Sequence, residues 1–76
     1  MKIGGWKKML TAIRKKETIG PWVVVGINMK DGVVAQEIAT NLDILPAQYE
    51  AVGQLEKVTR ILVEDSTGQV VWTKQL

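Results

Sequence analysis

The chain has 76 residues, of which 46% are hydrophobic and 24% are charged, and its formal net charge is +2. A chain of this length forms one domain and buries only about 60% of the surface that its unfolded form exposes. It contains no cysteine and no histidine, which excludes disulfide bonds and thiolate metal sites and removes the most common general base, so we expect a non-enzymatic, cytoplasmic protein without a cofactor.

Positive charge is concentrated at the N-terminus. The first sixteen residues hold six basic residues and no acidic one: Lys2, Lys7, Lys8, Arg14, Lys15 and Lys16. The other sixty hold four basic and eight acidic residues, so residues 1–16 carry a charge of +6 and residues 17–76 a charge of −4. This distribution predicts that the basic N-terminal arm meets an anionic partner.

The arm also carries a helical pattern of apolar residues, at Ile3, Trp6, Met9, Leu10 and Ile13. This spacing predicts a short amphipathic helix over residues 6–16. The Gly20-Pro21 pair follows this helix and separates it from the rest of the chain. We therefore divide the chain into a basic arm at residues 1–19 and a folded domain at residues 20–76. No run of eighteen apolar residues occurs, so we expect no membrane span.

The next segment, residues 22–29, is a continuous apolar run. Its β-branched residues favour a strand. A preceding proline is equally typical of the first turn of a helix, and a run without periodicity does not separate the two. The Lys30-Asp31-Gly32 sequence that follows predicts a turn.

Two further helices are predicted in the middle of the chain. Val34, Ile38 and Leu42 recur every four residues with polar residues between them, which favours an amphipathic helix over residues 34–42. A short link at residues 43–45 leads to Pro46, which is typical of a first helical turn and predicts a helix over residues 46–57.

The C-terminal third predicts a β-hairpin. Residues 60–64 and 69–74 are rich in β-branched and aromatic residues, and a Ser/Thr/Gly loop at residues 65–68 separates them. Two such runs around a turn sequence are typical of paired antiparallel strands.

A helix, a three-residue link, a second helix and a hairpin occur in this order in the winged helix-turn-helix superfamily, which residues 20–76 resemble. The resemblance is carried by residues 35–44 as the second helix and turn, residues 55–57 at the end of the third helix, and Ile61 with residues 68–72 in the wing. The chain looks most similar to small uncharacterised bacterial winged-helix-like proteins, which share the Tyr-x-Ala-x-Gly-x-Leu pattern found here at residues 49–55.

The resemblance implies an α+β, mostly α fold: a winged helix with a C-terminal hairpin wing and an extra N-terminal amphipathic helix. On that interpretation residues 21–29 form the first core helix. The alternative is a small α+β sheet with two hairpins, in which residues 22–29 pair with residues 33–38.

The resemblance further implies a DNA-binding protein of a transcriptional-regulator or architectural type, prokaryotic or viral. Gln48 and Gln54 of the third helix could then bond adenine in the major groove. Glu50, Glu56 and the acidic wing tip would be repelled by the duplex, so the arm is the expected source of backbone contacts. The candidate phosphate ligands are Lys7, Lys8, Arg14, Lys15 and Lys16.

Three alternatives stay open at this stage. The arm lysines could be only the solvated face of a helix, or that helix could lie on an anionic membrane surface. The protein could instead be a winged-helix module that binds another protein, with a homodimer favoured by the opposite charges of arm and body. No small-molecule substrate and no metal site are predicted.

Overall fold

The computed structural model describes residues 5–76, so Lys2 and Ile3 of the predicted arm lie outside the described residues. Two helices and four strands follow one another along the chain. They are α1 (Trp6–Lys15), β1 (Trp22–Ile27), β2 (Val33–Ala39), α2 (Leu45–Gly53), β3 (Arg60–Glu64) and β4 (Val70–Gln75). The strands form one antiparallel sheet in the order β2-β1-β3-β4.

The predicted winged-helix, mostly α architecture is wrong, because the described chain has more strand than helix. Residues 22–29 supply the central strand β1 rather than a core helix. The alternative of a sheet with two hairpins is confirmed: β1 pairs with β2, and β3 pairs with β4. Pairing of β1 with β3 joins the two hairpins into one sheet.

The predicted helix over residues 34–42 is also wrong, since residues 33–39 form β2. A spacing of four residues is a multiple of the strand period of two as well as close to one helical turn. Val34 and Ile38 fit an extended strand for this reason, and both are exposed in it, whereas Ala39 is buried.

The other local predictions are confirmed. Helix α1 covers the predicted residues to within one position. Helix α2 places Pro46 in its first turn and ends at Gly53, four residues earlier than predicted. The turn between β1 and β2 is held by Asn28, whose Oδ1 accepts hydrogen bonds from the backbone N–H groups of Lys30 at 2.9 Å and Gly32 at 2.8 Å.

Both helices pack on the same face of the sheet. The largest fully buried side chains lie between them and β1 and β3: Tyr49, Met9, Ile13, Leu45, Ile61, Val24, Val52 and Val63. A Cβ atom at Gly26 would lie 2.7 Å from methyl carbons of Val52 and Val58. The absence of a side chain at Gly26 therefore lets α2 and the segment after it approach β1 closely.

Neither helix in residues 5–76 has the length and apolar character needed to cross a bilayer. The opposite face of the sheet carries no helix among these elements. Val25 and Ile27 point to that face, outside the main core cluster.

Candidate anion-binding face

Helix α1 is fixed to the body by one side and leaves the other in solvent. Met9 and Ile13 are completely buried, and the helix packs against α2 and β4. Since an α-helix has 3.6 residues per turn, positions 7, 8, 11, 14 and 15 fall within about a third of its circumference, opposite these anchors. The core contacts therefore determine which side chains α1 presents outward.

We name this outward side the basic face; it consists of Lys7, Lys8, Thr11, Arg14 and Lys15. All five residues are exposed. Four carry positive charge, and α1 contains no acidic residue. Lys7, Lys8, Thr11 and Lys15 line a shallow depression of about 370 Å³ together with Ala12.

The cations of the basic face are not neutralised by carboxylates within the described chain. In residues 5–76 the ion pair that forms joins Arg60 Nη2 to Asp31 Oδ1 at 3.2 Å, far along the sequence from α1. Lys7 Nζ lies 5.6 Å from the centre of the Trp6 ring, a cation–π contact that orients this amine near the start of the helix. Within residues 5–76, an anion approaching the basic face would thus meet no competing carboxylate.

Lys16 occupies a different position from the other predicted phosphate ligands. Its Nζ donates a hydrogen bond of 2.8 Å to the backbone carbonyl of Val71 in β4. This contact ties the end of α1 to an edge strand of the sheet. Lys16 therefore holds the helix in place and is not part of the basic face.

The two glutamines predicted to read bases lie away from the basic face. Gln48 Nε2 donates to the carbonyl of Ile38 at 3.0 Å, so this side chain lies over β2, at the sheet edge opposite β4. Gln54 caps the C-terminal end of α2 and is exposed. The structure does not bring either amide together with the arm cations.

A second polar cluster lies at the tip of the β3–β4 hairpin, in the loop that the sequence predicted at residues 65–68. The buried carboxylate of Asp65 accepts hydrogen bonds from Thr67 Oγ1 at 2.6 Å, Thr67 N at 2.9 Å and Gln69 N at 3.1 Å. The Thr67 hydroxyl, helped by the two backbone N–H groups and opposed by burial, lowers the pKa of Asp65 below its ordinary value. The Asp-x-Thr spacing is the sequence signal for such a turn.

This cluster predicts a loss of stability in acid. Because the pKa of Asp65 is lower in the folded than in the unfolded chain, its contribution is complete above about pH 4 and disappears as the pH falls through the folded value. We expect the Asp65→Asn variant to be less stable than the parent at neutral pH, and the difference between them to shrink below about pH 4. Urea unfolding of both proteins across this range measures it, and a difference that stays constant with pH would contradict the assignment.

The aromatic residues Tyr49 and Trp72 form a hydrogen bond between α2 and β4. Tyr49 is completely buried, and its hydroxyl accepts a hydrogen bond from Trp72 Nε1 at 3.1 Å. Burial raises the pKa of Tyr49, and the Trp72 bond opposes that rise. Trp72 is half-buried against the core, so this pair joins α2 to β4.

Comparison of the chain with protein families, curated proteins and solved structures found no match. The basic face of α1 is therefore interpreted from its own geometry and charge.

Proposed function

We propose that this protein is a non-enzymatic module that binds the phosphate backbone of duplex DNA through the basic face of α1. The observation that supports this proposal best is the set of four exposed cations on one side of an anchored helix that has no acidic residue. Protein groups that neutralise phosphates release counterions from the duplex, and this release provides most of the affinity of sequence-independent binding.

The dimensions of α1 suit this partner. Its ten residues span about 15 Å at 1.5 Å per residue. A duplex carries one negative charge for roughly every 1.7 Å of its axis. Several phosphates would thus come within reach of four cations at once. Arg14 and Lys15 are also stabilised by their position in the last helical turn, near the negative end of the helix dipole.

Burial of the apolar side of α1 favours DNA over a membrane surface as the anionic partner. A helix that lies in a bilayer interface inserts its apolar side chains between the lipids. Met9 and Ile13, the centre of that apolar side, are completely buried in the protein core. The outward side of α1 consists of four cations and Thr11, and such a charged, polar side suits a polyanion in water.

The proposed binding is of the architectural type, with little sequence preference. Base recognition by a helix-turn-helix is not proposed, because residues 33–39 form strand β2 and not the second helix of that motif. Gln48 is bonded to the edge of the sheet. Contacts to phosphates position a protein but carry no direct sequence information.

Fluorescence anisotropy with a labelled duplex of about 20 base pairs tests the proposal between about 50 mM and about 200 mM salt. Four phosphate contacts predict that log affinity falls with log salt at a slope near −3.6, from about −0.9 for each contact. We expect the Lys7→Glu/Lys15→Glu variant to lower the slope to about −1.8 or less in magnitude, and to lower low-salt affinity at least about tenfold.

A matched control separates the basic face from net charge. Lys30→Glu/Lys57→Glu makes the same change in charge at two exposed residues outside α1, and we expect it to keep a slope near that of the parent. The proposal is wrong if the parent does not bind at low salt, or if both double variants lose affinity equally. Absence of binding at low salt would indicate that the cations are only the solvated face of a helix.

A further inference from the structure

The sheet face opposite the helices carries an apolar surface with a regular layout. The strand registers arrange its side chains in three rows that cross β2, β1, β3 and β4 in that order. We name this surface the open face. Its first row is Ile38, Val23, Glu64, Val70; its middle row is Gln36, Val25, Leu62, Thr73; and its last row is Val33, Ile27, Arg60, Gln75.

Large apolar side chains are exposed on this surface. Ile38 is 59% exposed, Val33 is 56% exposed and Val70 is 45% exposed, although a folded protein normally covers such residues. Between them, Val25 and Ile27 form an apolar floor that is only 5–6% exposed. A contiguous patch of this kind on one side of a small sheet is typical of an interaction surface.

We infer that the open face binds a second copy of this chain, with the two sheets stacked face to face and their strands antiparallel. The two-fold axis runs across the strands along the middle row, so each strand lies over the same strand of the other copy. This operation exchanges the first and last rows. It places Ile38 opposite Val33 of the other copy and Val23 opposite Ile27, so these apolar residues meet in pairs, while Val70 lies opposite Gln75.

Charge complementarity favours a second copy of this chain as the partner of the open face. The charged residues of the open face are Glu64 in the first row and Arg60 in the last row, both on β3. The same two-fold operation places Glu64 over Arg60 of the other copy, and Arg60 over Glu64, so two opposite-charge pairs form. Complementary charges of this kind fix orientation and register at an interface.

The present contacts of Arg60 leave room for this pair. Its Nη2 reaches the exposed carboxylate of Asp31 at 3.2 Å. The Arg60 side chain is 39% exposed, although its Nε is buried. A guanidinium group has five donors arranged for a carboxylate that binds two of them, and a second carboxylate could therefore add to the first.

The size of the open face sets the expected strength. Four strands about 4.8 Å apart, each about six residues long at about 3.3 Å per residue, give a footprint of roughly 19 by 20 Å. This projected area of roughly 380 Å² is about half of the standard 800 Å² per partner and is typical of weak, transient contacts. We therefore expect a reversible dimer with a dissociation constant in the range of about 10–100 μM. The basic faces of the two copies would lie on opposite outer surfaces.

Sedimentation velocity without DNA, from about 1 μM to about 1 mM protein, tests the dimer independently of the proposed function. Arg60→Glu and Glu64→Arg each place like charges in contact, so we expect each to weaken dimerisation at least about tenfold. The double variant Arg60→Glu/Glu64→Arg restores opposite charges, and we expect its dissociation constant to return to within about threefold of the parent. Glu56→Arg and Lys57→Glu are matched controls at exposed positions outside the sheet, and we expect both to dimerise like the parent.

Circular dichroism is used to check that each variant is folded. If one single variant is unfolded, the dissociation constant of the double variant is compared with those of the parent and the folded single variant. A parent that stays monomeric to about 1 mM would overturn the inference. A dimer that is insensitive to both single changes would also overturn the inference. Such a dimer could form by pairing the β2 edges of two sheets, which does not involve β3. A double variant that is folded and yet dimerises no better than the single variants would overturn the antiparallel arrangement.

Discussion

Replacing Tyr49 with alanine is expected to remove about 3–5 kcal/mol from the free energy of unfolding, the usual cost of truncating a buried aromatic residue. A 76-residue domain has roughly 4–11 kcal/mol in total, at 0.05–0.15 kcal/mol per residue. Tyr49 is the largest of the fully buried side chains and lies between α2 and the sheet. Its removal leaves a cavity and takes away the acceptor of the Trp72 indole N–H. Urea unfolding followed by tryptophan fluorescence measures the change.

The Tyr49→Phe variant separates the cavity from the hydrogen bond. It keeps the ring and loses only the hydroxyl, so we expect a cost of about 0.5–1.5 kcal/mol. Equal losses for alanine and phenylalanine would show that the hydroxyl, rather than the volume of the ring, stabilises this part of the core. A loss below about 1 kcal/mol for alanine would contradict the placement of Tyr49 in the core.

Replacing Met9 with alanine is expected to destabilise the protein by about 2–5 kcal/mol and to impair DNA binding as well. Met9 is completely buried and, with Ile13, attaches α1 to the body. Loss of this attachment frees the helix, and a free helix of ten residues is marginal in water. The four cations would then no longer be held on one side, so binding has to offset the entropy of ordering them.

The control for this prediction is Thr11→Ala, two residues away on the exposed side of the same helix. Alanine has the higher helix propensity, so we expect unchanged or slightly higher stability. Unfolding in urea and DNA anisotropy at low salt are measured on both variants. A Met9→Ala protein as stable as the Thr11→Ala protein would show that α1 is not anchored through its apolar side.

The sequence was sufficient for those elements whose pattern has only one structural solution. The apolar spacing from Trp6 to Ile13 matches a helix and no strand, and α1 forms there. Pro46 marks the first turn of α2, and the C-terminal hairpin follows from two β-rich runs around a Ser/Thr/Gly loop. Each of these signals lies within about fifteen residues and needs no distant contact.

The error at β2 arose where two periods coincide. Val34, Ile38 and Leu42 repeat every four residues, a spacing that keeps side chains on one side of a helix and also of a strand. Pairing with β1 decided between them. That pairing depends on β1 being a strand, which the continuous apolar run at residues 22–29 left open.

In the candidate site, too, the features with a local sequence signal were predictable and those that depend on tertiary contacts were not. The surplus of positive charge in the arm was evident from composition, and the helical period places Lys7, Lys8, Arg14 and Lys15 on one side of α1. The bonds of Lys16 to Val71 and of Gln48 to Ile38 join residues that are 55 and 10 positions apart. Such tertiary contacts have no local sequence signal, so the roles of these two side chains could not be foreseen.

The most direct measurement of the proposed function is a titration of isotope-labelled protein with duplex DNA, followed by amide chemical shifts in NMR spectra. The basic-face interpretation predicts that the largest shifts occur at the residues of that face: Lys7, Lys8, Thr11, Arg14 and Lys15. It also predicts that these shifts decrease as salt is raised, and that Val25 and Leu62 on the open face stay unchanged. Shifts centred on β2 or on the open face, with α1 unaffected, would contradict it.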